Sequence, residues 1–534
     1  MRLQRTGATI LALLCIGCPF RSEARDSRWL LDLAFLSRAL ARYHPNPFHA
    51  ISRADFQRRV RAVADRIPQM SDAATLVAFK QLVSAIGDAH TGFGFSSEPP
   101  MNFFLFPIKA YRYPDGVYVQ AAAPAFRNLI GARIISIGGV GMSEAERRLD
   151  TVADASNAWT KRWWLPFTFR GEVFKALGLS SYADRARFVL ERSGRTQVVN
   201  LRVLRKPFSV GDNLGAPPDS DWVDARSPAT PLYLQHVEHR LWFAPAGNGA
   251  LYIRCSIVED SHDETFDAFF ERAFAYIDQN AVSKVILDLR MNGGGDNTLT
   301  PAVTQRILQR PKLNRRGHLF VIIGRSTQSA AENLVDRLQR DTEAIFVGEP
   351  TGERPNMYGD PQPFVLPQSK ITVNIASLYW QDMGPRDNRD TTGPELAAEL
   401  TERDFEAGTD PAMNAIARPL APAFTEVVKS ALGRGPDGVR NAYLQYVRDP
   451  VHRFAQIESA TEDLIYDLID KKRYSSGAVL CDLNLRHYAT AASYDTQGSL
   501  EEALKDSERA KRAYRTALRI DPRDAIAAAR LSAL

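Results

Sequence analysis

Apolar positions between residues 27 and 86 recur three and four apart, in WLLDLAFLSRALARY, DFQRRVRAVADRI and AATLVAFKQLVSAI. That spacing predicts three amphipathic helices, with the Pro-rich HPNPF as a turn between the first two. An N-terminal helical domain is therefore expected over 25–95, its last helix running out at Gly87 into the segment GDAHTGFGF. The pattern then changes. From about 104 to 205, short runs such as FPIKAYRY, GVYVQAA, ARIISIGG, RARFVLE and VVNLRVL predict a β-rich domain, 96–205, with a helix at SEAERRLDTV. Residues 206–231 are rich in Pro, Gly and Asp without periodicity and read as a linker.

Between 232 and 420 strands and helices alternate. ALYIRCS, KVILDLR, HLFVIIG, EAIFVG and ITVNIASLYW are the strands; ETFDAFFERAFAYIDQ, PAVTQRIL and STQSAAENLVDRLQ supply the helices and the turns into them. This alternation predicts an α/β unit, a mostly parallel sheet covered on both faces. Beyond 421 the chain is helical again. SERAKRAYRTALRIDPRDAIAAARLSAL, with Ala at close-packing positions, reads as a TPR-like pair, and a plain helical tail packed on the core is the other reading.

Composition narrows the class. Of 534 residues, 45% are hydrophobic and 24% charged, an ordinary globular balance with room for several cores. The formal charge of +5 comes from interspersed basic and acidic residues and does not point to nucleic acid. Residues 1–24 read as a signal peptide: Arg2 and Arg5 open it, an apolar stretch runs from Ala8 to Phe20, and Ser22 and Ala24 precede a cut before Arg25. The expected destination is periplasmic or secreted. Ile16 and Gly17 before Cys18 also suit lipidation, which would give a peripheral membrane tether through Cys18. Cys255, in an apolar run, reads as a packed thiol, with a bridge to Cys481 left open.

Three features carry chemistry. Ser329 sits where the turn after FVIIG becomes a helix, and the Ala330 N–H beside it is suited to hold a developing oxyanion. A serine in that place is ordinarily a helix cap, so it needs company. The turn MNGGGDN supplies it: glycines after a buried strand let the backbone approach a bound group, with Gly294 as the second oxyanion donor and Gly295 next in line. His90, in the small-residue turn GDAHTGF, is the third. Asp288 and Arg290 read as turn-fixing. Nucleotide and phosphate signatures are absent, and HVEH at 236–239 has the wrong spacing for a zinc helix, so no cofactor and no metal is expected.

Taken in order, GDAHT, DLRMNGGG, STQSAAEN, VGEPTGE and the late PE with GTDPAMNAI resemble the tail-specific, C-terminal processing peptidase superfamily, over about residues 30 to 420. The resemblance implies a crotonase-like α/β catalytic core with a PDZ-like β-rich insert. It also implies a serine peptidase acting on polypeptides through an acyl-enzyme. One branch of that superfamily uses a lysine base, but its place here is taken by Arg354, which stays protonated. The branch resembling tricorn-core and photoreceptor retinoid-binding proteins has an Asp-x-His-Thr element instead, matched by Asp88–Thr91. The resemblance thus puts His90 opposite Ser329 as general base, with an acid shortly before Pro394–Glu395 as third member: Asp387 first, Asp390 second. Glu332, one turn after Ser329, is read as a buttress of the turn or a cap on the helix N–H groups. Two other readings stay open, a non-catalytic ligand- or partner-binding protein on this scaffold and a hydrolase of non-peptide esters. The C-terminal helices offer a surface for a protein partner.

Overall fold

The computed structural model describes residues 19–211, 214–217, 220–226 and 230–534. Residues 1–18 of the expected signal peptide, Cys18 among them, lie outside the described residues. The first helix, α1, runs continuously over Pro19–Tyr43, through the expected cut before Arg25. Among the described residues no helix is long and apolar enough to cross a membrane.

Helices α2 (Arg53–Arg66) and α3 (Asp72–Ser84) start where Ser52 and Ser71 accept the N–H groups of Asp55 and Ala74. The three helices do not keep a core to themselves. Leu36, Phe79 and Val83 share one apolar cluster with Ile108, Val119, Phe188 and Leu201 of the β-rich region. That region is an antiparallel sheet of β1 (Ile108–Tyr113), β2 (Gly116–Ala122), β3 (Arg133–Ile137), β5 (Arg185–Arg192) and β6 (Arg195–Arg202), in that spatial order. Short β4 (Val140–Gly141) pairs with β3, and β7 (Val223–Asp224), from the linker, pairs with β2. Helices α4 (Met142–Leu149), α5 (Ala158–Trp164) and α6 (Gly171–Ala176) fall between β4 and β5. Periodicity shows only the first, because α5 and α6 span too few turns to carry a stripe.

The second sheet has the spatial order β17 (Leu396–Ala397), β12 (Ile345–Gly348), β11 (Leu319–Ile323), β10 (Lys284–Asp288), β9 (Ala250–Cys255), β8 (Leu241–Pro245). All but the edge strand β8 run parallel. Alternate residues serve opposite layers. Leu287, Val321 and Ile323 pack against α7 (Phe266–Gln279), α8 (Pro301–Leu308) and α9 (Ala330–Asp341). Tyr252, Ile286 and Phe320 face the other way, onto Ala412 and Ile416 of α11 (Pro411–Ala417), which follows α10 (Glu402–Ala407). Burial on both faces is why these strands read as continuous apolar runs.

One expected strand is two. ITVNIASLYW divides at Ala376–Ser377 into β15 (Thr372–Ile375), paired with β14 (Gln362–Val365), and β16 (Leu378–Gln381), paired with β13 (Asn356–Gly359). The break follows from a side-chain bond: the Ala376 N–H donates to Thr91 Oγ1 at 3.0 Å instead of to a strand. Gly92 and Asn374 exchange two backbone bonds of 2.9 Å, so this arm grips the His90 turn.

The C-terminal region is helical throughout, α12 (Phe424–Ala431), α13 (Gly435–Arg448), α14 (Glu458–Asp470), α15 (Tyr474–His487), α16 (Ala491–Ala503), α17 (Ser507–Ile520) and α18 (Ala525–Ala533). It is docked on the loop 384–393. Arg386 there reaches Asp495 at 3.2 Å and Asp524 at 3.1 Å, and Gln456 bonds Arg389, Gly393 and Thr391. Cys255 and Cys481 are both buried free thiols.

Candidate active site

Strands β10 and β11 end side by side at the carboxyl edge of the parallel sheet, and the turns leaving them build one half of the site. Asn292 joins the turns. Its Nδ2 donates to Cys255 O (3.0 Å), its carbonyl accepts the Gln328 N–H (3.2 Å), and its Oδ1 accepts the Gly294 N–H (2.9 Å). Thr327 Oγ1 donates to Leu289 O and accepts the Gly324 N–H, closing the turn before the helix. Ser329 then enters α9 at φ 55°, ψ −129°, a conformation that costs a non-glycine residue about 1–3 kcal/mol. The helix-start position makes no side-chain cap bond. A serine held in strain at a helix start without capping it is serving something other than the helix.

Gly294 must be glycine. At φ +114°, a Cβ there would stand 2.5 Å from Ser329 Cβ and 3.0 Å from Ser329 Oγ. Its N–H, however, is taken by Asn292, which argues against Gly294 as oxyanion donor. Gly295 (φ +136°) is exposed with its N–H unbonded among the described residues, and so is the N–H of Ala330 at the head of α9. Both line, with Ser329, His90, Asn333 and Trp380, a pocket of about 270 Å³.

The other half of the site comes from far away in sequence. Asp88 Oδ1 accepts the N–H groups of His90 (2.8 Å) and Thr91 (2.6 Å), setting the turn that carries the imidazole. Asp88 Oδ2 bonds His44 Nε2 at 2.9 Å; the Asn46 N–H donates to His44 Nδ1, so Nε2 carries the proton given to Asp88. Burial pushes the Asp88 carboxyl up, but the bond from His44, the nearby His44 and His90 rings and the Thr91 N–H together bring it below its usual range. Burial lowers His90 below the ordinary histidine value, against the pull of Asp88, Asp360 and the Tyr358 carbonyl. A part-buried imidazole whose pKa is lowered is suited to take a proton as a base.

The acid facing that imidazole is Glu353. Its Oε2 lies 3.7 Å from His90 Nδ1, and neither atom has a hydrogen-bond partner among the described residues. Ser156 Oγ donates to Glu353 Oε1, and the Ser329 backbone N–H also faces the carboxyl. Burial first, then the nearby Asp88 charge, pushes Glu353 up to about 8, against the bond from Ser156 and the charge of Arg354.

The two expected acids sit elsewhere. Asp387 is held by the Arg389 guanidinium at 2.6 Å, and Asp390, 70% exposed at its side chain, pairs with Arg354 at 2.7 Å. No interaction among the described residues joins either to His90. Glu353 leaves no spacing signal in the sequence, only its place after Thr351-Gly352, and His44 none beyond HPNPF. Glu332 does not cap its helix. It is fully buried and accepts from Thr392 Oγ1 at 2.7 Å, tying α9 to the 391–393 segment; Asp336, one turn on, is buried beside it. Burial holds Glu332 up at about 8 against the bonds from Thr392 and Thr351, and burial with the Glu332 charge holds Asp336 well above its usual range against Arg389. Asp288 and Arg290 form a structural network with Asp410, the cap of α11.

The profile of peptidase family S41 matches residues 251–390, which span Ser329, both glycines and Glu353. Through that segment the chain is similar to the S41 tail-specific protease superfamily. It is a serine-type peptidase. No curated protein sequence matches it. Among solved structures, mature CPAF complexed with lactacystin is 13% identical over 72% of this chain and 96% of that one, with a TM-score of 0.51. Mature CPAF alone is 14% identical over 78% and 98%, with a TM-score of 0.50. At that identity the likeness is one of fold. It covers a larger share of the chain than the S41 match does.

Proposed function

We propose that this S41 peptidase is an exported endopeptidase that hydrolyses peptide bonds through an acyl-enzyme on Ser329. His90 takes the serine proton as Oγ attacks the scissile carbonyl and returns it to the leaving amine. The N–H groups of Ala330 and Gly295 hold the oxyanion, Gly295 replacing Gly294, whose N–H is engaged. Glu353, in place of Asp387, steadies the imidazolium that forms. Water then attacks the acyl-enzyme with His90 again as base. The arrangement of Ser329, its two unbonded N–H groups and His90 around one pocket carries this reading. We further take the catalytic unit as crotonase-like, the β-rich sheet as a PDZ-like insert that hands an extended chain inward, and the C-terminal helices as TPR-like. Residues 1–24 are the export signal. The test is reaction with a fluorophosphonate probe read by intact mass. One adduct on the wild type, absent in S329A, is expected; an unlabelled but folded wild type would leave the scaffold a binding protein.

A further inference from the structure

The segment Asp154–Thr160 of the β-rich region packs against the two turns that carry His90 and Glu353, and its polar side chains bond there. Asp154 pairs with the buried Lys80, whose Nζ also donates to Phe93 O, and accepts from Ser84 Oγ at 2.9 Å. It stands so close to the His90 turn that a Cβ at Gly92 would fall 1.7 Å from Asp154 Oδ2. Two residues on, Ser156 Oγ donates to Glu353 Oε1, while Arg354 Nε donates to Ser156 O at 3.3 Å. Asn157 Nδ2 reaches the carbonyls of Thr351 (3.2 Å), Glu353 (3.4 Å) and Asp390 (2.8 Å), and Thr160 Oγ1 donates to Gly352 O. One short stretch thus holds the base turn with Asp154 and the acid turn with Ser156, Asn157 and Thr160.

We propose that Ser156 is a positioning residue of the β-rich region that fixes the Glu353 carboxyl between Ser329 and His90 and thereby sets the strength of the base. This rests on the reading of Ser329 and His90 as nucleophile and base. A glutamate side chain has three rotatable bonds, and with Oε1 held by Ser156 the remaining oxygen is left facing His90 Nδ1. The groups around Glu353 are His90 and Asp88 from the turn after α3, Glu332 from α9, Arg354 beside it and Ser156 from the β-rich region. Among these, Ser156 is a neutral donor that favours the charged carboxylate. When Glu353 is ionised, proton transfer to His90 creates an ion pair; when it is protonated, the imidazolium has no counter-charge there. Activity therefore climbs as Glu353 loses its proton, near pH 8.

The experiment is the rate of fluorophosphonate labelling from pH 5 to 10 for the full chain and for S156A, S156T, S156C and E353Q. The wild type is expected to show a rise near pH 8. Loss of the donor in S156A moves that rise to higher pH and lowers the rate at pH 7.5 about tenfold, as one unit of displacement requires. S156T, which keeps the hydroxyl, retains the wild-type profile. S156C, of similar volume but a weak donor, shows the same displacement if S156A does not fold. An S156A or S156C profile superimposable on the wild type overturns the proposal. If instead E353Q keeps the rise near pH 8, Glu353 is not the group that produces it and the role of Ser156 falls with it. Failure of the wild type to label at all is a separate result, and it overturns the underlying peptidase reading.

Discussion

The two halves of the site are built on different principles. The nucleophile half, Gly293–Ser329, hangs from the carboxyl ends of two adjacent parallel strands, and most of its bonds are between the turns themselves or to β9 beside them. The base half has no such frame. The His90 N–H is held by Asp88, Asp88 by His44, and neighbouring Gly92 by Asn374 with Asp154 packed against it, while Glu353 is held by Ser156, so the partners come from three regions of the chain. A sheet edge positions backbone groups cheaply, because the ladder is already paid for by folding; a buried polar web positions side chains only while every member is present.

That contrast predicts where damage concentrates. H90A, which removes the proposed base, is expected to slow fluorophosphonate labelling about a thousand-fold with little change in melting temperature, since His90 is not part of an apolar core. A comparable labelling rate in H90A would move the base function elsewhere. Next, D154A leaves the Lys80 ammonium buried without its carboxylate, and should cost about 3–5 kcal/mol in denaturant unfolding while also slowing labelling. Loss of stability with wild-type labelling in the folded fraction would show that the Asp154 grip on the His90 turn is dispensable.

A smaller effect is expected from the carboxyls under α9. Glu332 is held up at about 8 in the fold against an ordinary value near 4.5, so between those limits the folded state binds the extra proton. Stability is then full below about pH 4.5 and declines as pH rises through 8, where folding must bury an ionised carboxylate. E332Q, neutral at every pH and of the same shape, should flatten the fall in melting temperature between pH 6 and 9. A slope unchanged from the wild type would remove Glu332 from that account. Smallest of all, D387N should label within about twofold of the wild type, because Asp387 is paired with Arg389 and not with His90. A large loss would restore Asp387 as the partner of His90.

The legible part of this protein follows the same division. Parallel strands buried on both faces announce themselves as apolar runs, and the turns after β10 and β11, which carry the glycines, Ser329 and Ala330, are marked by Gly-rich and Ser-Ala-Ala sequences that are legible one segment at a time. His90 was readable through the resemblance of its motif. What went astray was always a choice among near neighbours or distant partners. Gly294 and Gly295 are equivalent in sequence, and only the Asn292 side chain, by taking one N–H, separates them. Asp387 and Asp390 are near the expected place in the chain, yet Arg389 and Arg354 occupy them, while Glu353 is brought to His90 by the turn that follows β12. The apparent division into a helical cap and a β-rich domain dissolves for a related reason, since periodicity shows that a face is apolar but not which face it meets.

The run of parallel strands in the second sheet and the turns that carry Ser329 and the glycines are therefore properties of the sequence, because each rests on contacts or backbone preferences within a few residues. Which carboxyl faces His90, which glycine N–H is left unbonded among the described residues and which region holds Glu353 are decided only in the folded molecule. Those choices depend on burial and on hydrogen-bond partners hundreds of residues apart, such as Ser156 and Glu353, separated by 197 positions. No local pattern records such a pairing, and the cost of leaving a buried polar group unpaired is what selects it.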